Sequence, residues 1–265
     1  MHSAVLLKGG KVLLIGGLGE AKGALSTALE IYDPATHHSQ VVGQLPKSNA
    51  HPPSVVLKDG TVLIAALGYG DQFAVRFDPQ SRKTVTIGNT NAGPMSESSA
   101  VCLASGAVLI TGTGSSGNNA FVFNPDSNTL TAVGPMHKDR FGHTSILLPD
   151  GRVLIAGGYK TADCETYDPK TGSFSMAGSL PEPMTHTQSA SLPDGEVLLV
   201  GARDGRSLQS EACLFDPVSN TVKEIQSPKG FFLMSGMLHR TDGSIWLVSD
   251  MGAIAKFNPQ SHTWD

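Results

Sequence analysis

The amino-acid sequence predicts an all-β protein made of six copies of one four-stranded unit, and three observations lead to this prediction. An aromatic residue followed by Asp or Asn and then Pro occurs six times, with 42 to 48 residues between successive copies, at Tyr32, Phe77, Phe123, Tyr167, Phe215 and Phe257. A two-residue pair ending in glycine, most often Asp-Gly, precedes each copy, and an apolar run such as "RVLIAGG" follows the pair. The 265 residues include 30 glycines and 16 prolines, and 40% are hydrophobic, which is typical of a turn-rich chain with a core.

The elements of one unit follow from the order of these markers. A first strand, such as "SAVLL", ends at the glycine-containing pair, which predicts a two-residue hairpin turn because such turns need positive φ. The apolar run is the second strand, and its lack of alternation predicts burial on both faces. A variable loop leads to the third strand, which ends at the Asp-Pro or Asn-Pro turn. A shorter and more polar fourth strand follows, such as "SFSMAG" at Ser173.

Four-stranded units of this length, with no helical pattern between them, indicate the blades of a β-propeller. We therefore predict one six-bladed propeller domain over residues 1–265, with four antiparallel strands per blade and no room for a second domain. The predicted blades cover roughly 1–47, 48–94, 95–137, 138–182, 183–230 and 231–265.

The units resemble kelch repeats, the blades also found in the central domain of galactose oxidase, over nearly the whole chain. The family's glycine doublet is present at Gly16–Gly17 and Gly157–Gly158, and its tryptophan is present as Trp264. The other four repeats lack the doublet, so the set is divergent. The competing WD40 propeller is disfavoured because Trp-Asp occurs only at Trp264–Asp265.

Propeller geometry separates two faces of the predicted domain. The short turns between strands one and two and between strands three and four lie on one face, which we call the turn face. The variable second-to-third loops and the interblade loops lie on the other, the loop face. Binding groups concentrate on variable loops held by a rigid scaffold. We therefore place the ligand- or partner-binding residues on the loop face: His2, His51, Tyr69, Glu97, Asp139, Arg140, His143, Tyr159, His186, Arg203, Arg206, Phe231 and Phe232.

Four of these residues are histidines that immediately precede the first strands of their blades. Imidazole is the commonest metal ligand, so they could bind a metal or contact a ligand. The stronger interpretation is structural, because the kelch pattern itself often has His there, bonded to a neighbouring blade. We predict no metal site and no cofactor.

The other candidates also have two interpretations. Asp139 and Arg140 could hold an anionic or sugar ligand, since a guanidinium pairs bidentately with a carboxylate, or they could form an interblade ion pair. Phe231 and Phe232 could anchor a partner or pack beneath their loop. Arg203 and Arg206 belong to the charged loop "RDGR".

The function predicted from these features is a kelch-type binding module for a protein or glycan ligand, without catalytic residues. The alternative is a carbohydrate-active enzyme of the same fold. A galactose oxidase-like copper site is not readable, because Tyr32 and Tyr167 belong to the repeat marker and Tyr69 and Tyr159 do not adjoin a histidine. A sialic acid epimerase-like site would need an acid/base pair, for which the sequence offers Glu20, Glu97, Asp139 and Asp250 without selecting among them.

Composition limits the partners and the compartment. The net charge of −4 provides no basic patch for nucleic acid, and the chain has no apolar run long enough to span a membrane. Cys102, Cys164 and Cys213 are predicted to be buried free thiols. The start "MHSAVLLKGG" does not have the features of a signal peptide, so either a cytosolic protein or a trimmed domain of a larger or secreted one is expected. We expect a monomeric ring. The third strand of blade six, around Ala253 to Phe257, is expected to be a poorly covered edge at which another chain could pair.

Overall fold

A computed structural model describes ten stretches of the chain: residues 2–19, 24–47, 51–65, 74–88, 97–113, 117–203, 210–228, 234–240, 242–249 and 252–265. The chain divides into two compact units, Met1–Val133 and Gly134–Asp265. Each unit contains three four-stranded sheets, which we call blades one to three and blades four to six.

The strands of the first unit follow one another in chain order. Blade one contains β1 to β4: Ser3–Leu6, Val12–Ile15, Ala28–Asp33 and His38–Gln44. Blade two contains β5 to β8: Ser54–Val56, Val62–Ile64, Ala74–Asp78 and Lys83–Ile87. Blade three contains β9 to β12: Ser99–Cys102, Val108–Thr113, Asn119–Asn124 and Thr129–Val133.

The second unit repeats the pattern. Blade four contains β13 to β16: Thr144–Leu147, Val153–Ala156, Asp163–Asp168 and Ser173–Ser179. Blade five contains β17 to β20: Met184–Ser191, Val197–Arg203, Ser210–Asp216 and Thr221–Ile225. Blade six contains β21 to β24: Met234–His239, Ile245–Ser249, Ile254–Asn258 and Thr263–Trp264.

Every blade has its four strands in chain order, and every pairing is antiparallel. The prediction of an all-β chain with six four-stranded antiparallel blades is confirmed, and each blade is continuous in sequence. This order places the first-to-second and third-to-fourth turns at one end of a blade, the turn end. The second-to-third loop and the segments that enter and leave the blade lie at its other end, the loop end.

The predicted two-residue hairpin turn is wrong. In blade four, three residues lie between Leu148 and Arg152, which pair across the turn from the first to the second strand, and this turn has the same length in the other blades. The Gly151 N–H donates to the Leu148 carbonyl at 3.0 Å, and the Leu148 N–H donates to the Arg152 carbonyl at 2.8 Å. A two-residue type I′ turn would need positive φ at both central residues, whereas here Gly151 has φ +89° and Asp150 does not have positive φ. Asp150 instead accepts the Arg152 N–H on its Oδ1 at 2.9 Å, which explains the Asp before the glycine.

The Asp-Pro and Asn-Pro turns also have one conformation throughout. In blade four, Asp168 Oδ1 accepts the Lys170 N–H at 2.8 Å and the Asp168 carbonyl accepts the Gly172 N–H at 2.8 Å. The residue four positions after the Asp or Asn is left-handed in all six turns, with φ between 53° and 70°: His37, Arg82, Asn128, Gly172, Asn220 and His262. The repeat marker therefore encodes a turn with both an Asx bond and a left-handed exit.

The cores lie between neighbouring blades of each unit. The marker aromatics Phe77, Phe123, Phe215 and Phe257 are fully buried in these cores, together with the second strands. Burial on both faces, as predicted, is complete in β6 and β14, whereas β2 alternates. The prediction that the fourth strand is shorter is wrong for blades one and four, where β4 and β16 have seven residues and β3 and β15 have six. In blade four the reason is a bulge in β16, where two residues stand opposite Cys164 and the pairing continues to Asp163 and Ser179.

Candidate functional site

The described residues that were predicted to bind a partner lie at the loop ends of the blades. Blade four is the blade whose loop-end segments are all described, namely 134–143 before β13, 157–162 between β14 and β15, and 180–183 after β16. Tyr69, Arg206, Phe231 and Phe232 lie outside the described residues, as do Glu20 and Asp250.

Main-chain hydrogen bonds join three loop-end segments of the second unit. The Tyr159 N–H donates to the Phe141 carbonyl at 2.8 Å, and the Gly158 N–H donates to the Met184 carbonyl at 2.7 Å. The Thr187 N–H donates to the Gly142 carbonyl at 3.1 Å. Residues 137–142, 158–160 and 184–187 therefore form one surface, which we call the blade-four rim. It brings together the sequence-predicted residues Asp139, Arg140, Tyr159 and His186, with His143 directly behind it.

A β-bulge exposes His186 on this rim. The register of β17 against β18 shifts between Thr185 and Gln188, and His186 has φ +51°. The Thr187 hydroxyl donates to the Met184 carbonyl at 3.0 Å and fixes the bulge. Bulges re-aim side chains at functional edges, and here the bulge leaves the imidazole of His186 exposed.

A buried ion pair supports the rim from below. The side chains of Arg140 and Glu165 are both 0% exposed, and Arg140 Nη2 lies 3.0 Å from Glu165 Oε1. The second guanidinium nitrogen, Nη1, donates to the carbonyls of Gly157 at 2.8 Å and Asp163 at 2.6 Å. Glu165 lies on β15, so the pair lies within blade four and not between blades as the sequence analysis had considered. The guanidinium is thus engaged by the protein itself and is not exposed at the rim.

Glu165 also fixes the start of the rim. Its Oε2 accepts the His137 N–H at 2.8 Å and contacts His137 Nδ1 at 2.9 Å, and its Oε1 accepts the Lys138 N–H at 3.1 Å. Burial alone would raise the pKa of Glu165, but the hydrogen bonds from His137 and the charge of Arg140 outweigh burial and lower its pKa. The carboxylate is therefore held ionised as a structural anchor. Sequence reasoning missed Glu165, since a single Glu within a strand carries no pattern.

The exposed groups of the rim are mixed in chemistry. Tyr159 is 49% exposed, and Lys160 Nζ lies 4.8 Å from the centroid of its ring. His137 and Lys138 are about half exposed, and Lys138 Nζ lies 3.2 Å from Asp163 Oδ2. An aromatic ring surrounded by charges of both signs is suited to binding a partner surface.

The other sequence-predicted residues that the structure describes lie outside the three segments of this rim. His2, His51 and Glu97 are exposed and belong to the first unit. Arg203 is 45% exposed and pairs with Glu211, with 3.4 Å between Nε and Oε1. Among the described residues, one group of three side chains could hold a metal ion, and it consists of Asp194, Glu196 and His262 at the turn ends of blades five and six. The histidines predicted near the loop ends do not form such a group within the described stretches.

His143 and two of the three cysteines are buried. Burial, with a further contribution from the charge of Arg140, lowers the pKa of His143 to about 3, so the ring is neutral at physiological pH. Burial raises the pKa of Cys164 and of Cys213 to about 12, which removes their thiolate character. The prediction of free buried thiols holds for these two, whereas Cys102 is half-buried.

Substitution of His143 by Gln is expected to make the protein less sensitive to mild acid. The unfolded histidine takes up a proton near pH 6.5 and the folded one only near pH 3, so stability is lost as the pH falls below the unfolded value. Between about pH 7.5 and about pH 5, this residue alone should remove about 2 kcal/mol. Urea unfolding at the two pH values measures it: the unsubstituted protein should lose that much more than the His143→Gln variant. Equal losses would contradict the assignment of a buried neutral imidazole.

The fold defines a class of protein: an all-β chain of six propeller-type blades with four antiparallel strands each. No protein-family model matches the chain, and no curated protein matches it with significance. The described residues contain no helix long and apolar enough to cross a membrane.

Proposed function

We propose that the chain is a kelch-type β-propeller that acts as a binding module and engages a protein partner through its loop face, with the blade-four rim at the contact. The observation that supports the proposal most strongly is the pairing of an exposed aromatic and charged surface, centred on Tyr159, with a buried ion pair that fixes it. A surface held rigid before binding loses less conformational entropy when the partner binds.

The glycine doublets support the kelch part of the proposal. Gly16 and Gly157 have φ of 65° and 73°, and the residues that follow them, Gly17 and Gly158, have φ of 104° and 114°. Two doublets in different units thus share one backbone conformation that side chains rarely adopt. In both blades, the glycine doublet therefore directly follows the second strand, at two successive residues with positive φ.

Binding explains the rim better than catalysis does. Among the ionisable groups behind the rim, Arg140 and Glu165 are paired with each other, and His143 is held neutral. The exposed groups are hydrogen-bonding and stacking groups, which are typical of contact surfaces. A glycan ligand is the second candidate, because the half-exposed Tyr159 ring could stack on the apolar face of a sugar.

Screening of the full chain against a random peptide library and a glycan array tests the proposal. The binders are then measured by fluorescence anisotropy against the chain with Tyr159→Ala or Lys138→Glu, and against Lys170→Glu as control. Lys170 is exposed at the turn end of the same blade. We expect the rim variants to weaken binding about tenfold or more and the control to leave it unchanged.

The possible results separate the two candidates. Peptide binders that depend on Tyr159 support a protein partner, and glycan binders that depend on it support the sugar-binding alternative. Binders that are indifferent to both rim variants, or chemical turnover of a bound glycan, would contradict the proposal of a rim-based binding module.

A further inference from the structure

The turn ends of neighbouring blades are joined by arginine side chains at two junctions. Between blades four and five, Arg152 Nε donates to Asp150 Oδ2 at 2.7 Å, while its Nη2 donates to the Pro217 carbonyl at 2.9 Å and its Nη1 lies 3.5 Å from Asn220 Oδ1. The guanidinium thus connects the Asp of one blade's hairpin turn to the Asn-containing turn of the next. We call this arrangement the arginine clamp.

The same clamp occurs between blades two and three, although the arginine comes from a different strand. Arg76, on β7, pairs with Asp59 and donates to the Pro125 carbonyl at 2.9 Å and to Asn128 Oδ1. Both clamps therefore use the same three acceptors: the carboxylate of the hairpin Asp, the carbonyl of the turn proline and the side-chain oxygen of the left-handed Asn. An arginine supplied by either of two strands meets the same set of acceptors.

The junction between blades one and two lacks both side-chain acceptors of the clamp. The hairpin pair is Gly9–Gly10, without an Asp, and Lys11 pairs with Asp33 of its own blade at 3.0 Å. The left-handed position of the next turn, φ +59°, is occupied by Arg82 and not by Asn. Compared with the arginine clamp, this junction therefore lacks the Asp and Asn acceptors and carries an additional positive charge on Arg82.

An open groove of about 410 Å³ lies at this junction, within the first unit. Its lining includes Leu7, Lys8, Lys11, Val42, Pro79 and Arg82. Leu7 and Val42 are buried and provide an apolar floor, whereas Lys8, Lys11 and Arg82 are exposed. The two acids that line the groove are already paired, Asp33 with Lys11 and Asp59 with Arg76.

The equivalent groove of the second unit has the opposite charge. It measures about 430 Å³ and is lined by Asp150, Asp194, Glu196 and Asp216 against the single cation Arg152. The cationic lining of the blade one–two junction is therefore not shared by the blade four–five junction.

We propose that the groove at the turn ends of blades one and two binds an acidic, extended peptide segment of a partner protein. Carboxylates of the peptide would meet Lys8 and Arg82, whose hydrogen-bond partners are neutral: Lys8 donates to the Lys58 carbonyl, and Arg82 donates to the Gln40 amide oxygen at 3.2 Å. Lys11 adds a third positive charge at the groove, although it is already paired with Asp33. An aliphatic side chain would lie on Leu7 and Val42. β4 is the outermost strand of blade one and also lines the groove, so it offers main-chain groups for pairing with an extended chain.

The test uses a random seven-residue peptide library displayed on phage, with the full chain as bait. Enriched peptides are synthesised with a fluorescent label and measured by anisotropy against three forms of the chain: unsubstituted, Lys8→Gln/Arg82→Asn, and Lys83→Gln. Asn is the residue already found at the left-handed position in blades three and five, so Arg82→Asn removes the cation without adding backbone strain. Lys83 is an exposed neighbour that does not line the groove, and Lys83→Gln serves as the matched control.

We expect a class of enriched peptides rich in Asp or Glu, whose affinity falls about tenfold or more in the double variant, is unchanged in the control and weakens with added salt. Thermal melting of the three forms should be equal, which separates lost binding from lost folding. An enriched set without acidic peptides, or acidic peptides that bind the double variant as well as the control, would overturn the proposal. Because Tyr159→Ala leaves this groove intact, failure here is distinguishable from failure of the loop-face proposal.

Discussion

Replacement of Arg140 by Met is expected to lower the free energy of unfolding by about 3 to 5 kcal/mol, measured by urea denaturation at neutral pH. The substitution keeps an apolar chain of similar length but leaves the fully buried Glu165 without its counter-ion. It also removes the donors that satisfy the carbonyls of Gly157 and Asp163. An unpaired buried charge is among the most destabilising defects in a protein interior.

Two further variants make this result interpretable. Arg203→Met removes an exposed partner of Glu211 and should cost at most about 1 kcal/mol, since exposed ion pairs contribute little. Arg140→Met combined with Glu165→Leu should recover part of the loss, because both charges are then absent. If Arg140→Met costs no more than Arg203→Met, the ion pair does not support the rim.

Substitution of Gly157 by Ala is expected to cost about 3 kcal/mol or more in the same assay. A Cβ at this position would lie 2.3 Å from Thr187 Oγ1 and 2.7 Å from the Met184 carbonyl, and the backbone has φ +73°. The added methyl would press against the segment that forms the bulge at His186. The variant should therefore also reduce binding of any ligand that depends on the rim.

Gly151→Ala is the matched control for backbone strain. Gly151 has φ +89° but no atom within 4 Å of a built Cβ, so its substitution should cost only the roughly 1 to 2 kcal/mol of a left-handed residue. Similar losses for Gly151→Ala and Gly157→Ala would contradict the close approach of blades four and five at this glycine.

The repeats determined how much of the fold was predictable. Six copies of the marker give six left-handed turns, and the marker aromatic is buried between blades in four cases, with Tyr167 also buried and Tyr32 half-buried. The repeat period locates these elements because every blade has the same strands and turns in the same order. Turn length was predicted wrongly, since a glycine-containing pair fits both a two-residue and a three-residue hairpin, and only the backbone hydrogen bonds of the turn separate them.

The sequence placed the candidate residues on the variable loops of the predicted propeller, but it did not give their contacts. The "KDRFGH" segment was prominent as the most charged of these loops, yet its residue types did not separate the exposed Lys138 from the buried Arg140 two residues later. That difference depends on Glu165, which lies on another strand, and pairing between distant residues leaves no local pattern in a single sequence. The bulge at His186 was missed for the same reason, because it depends on contacts with Gly142 and Gly157.

Amide hydrogen exchange with and without a bound ligand tests the central claim, that the chain binds its partner through the blade-four rim. The ligand is taken from the peptide and glycan screens performed on the Lys8→Gln/Arg82→Asn variant, so that the turn-end groove does not contribute. We predict that the ligand protects residues 137–142, 158–160 and 184–187 and leaves the turn-end segments 149–151 and 168–172 of the same blade unchanged. Protection of those turn-end segments, with no change at the rim, would contradict the account.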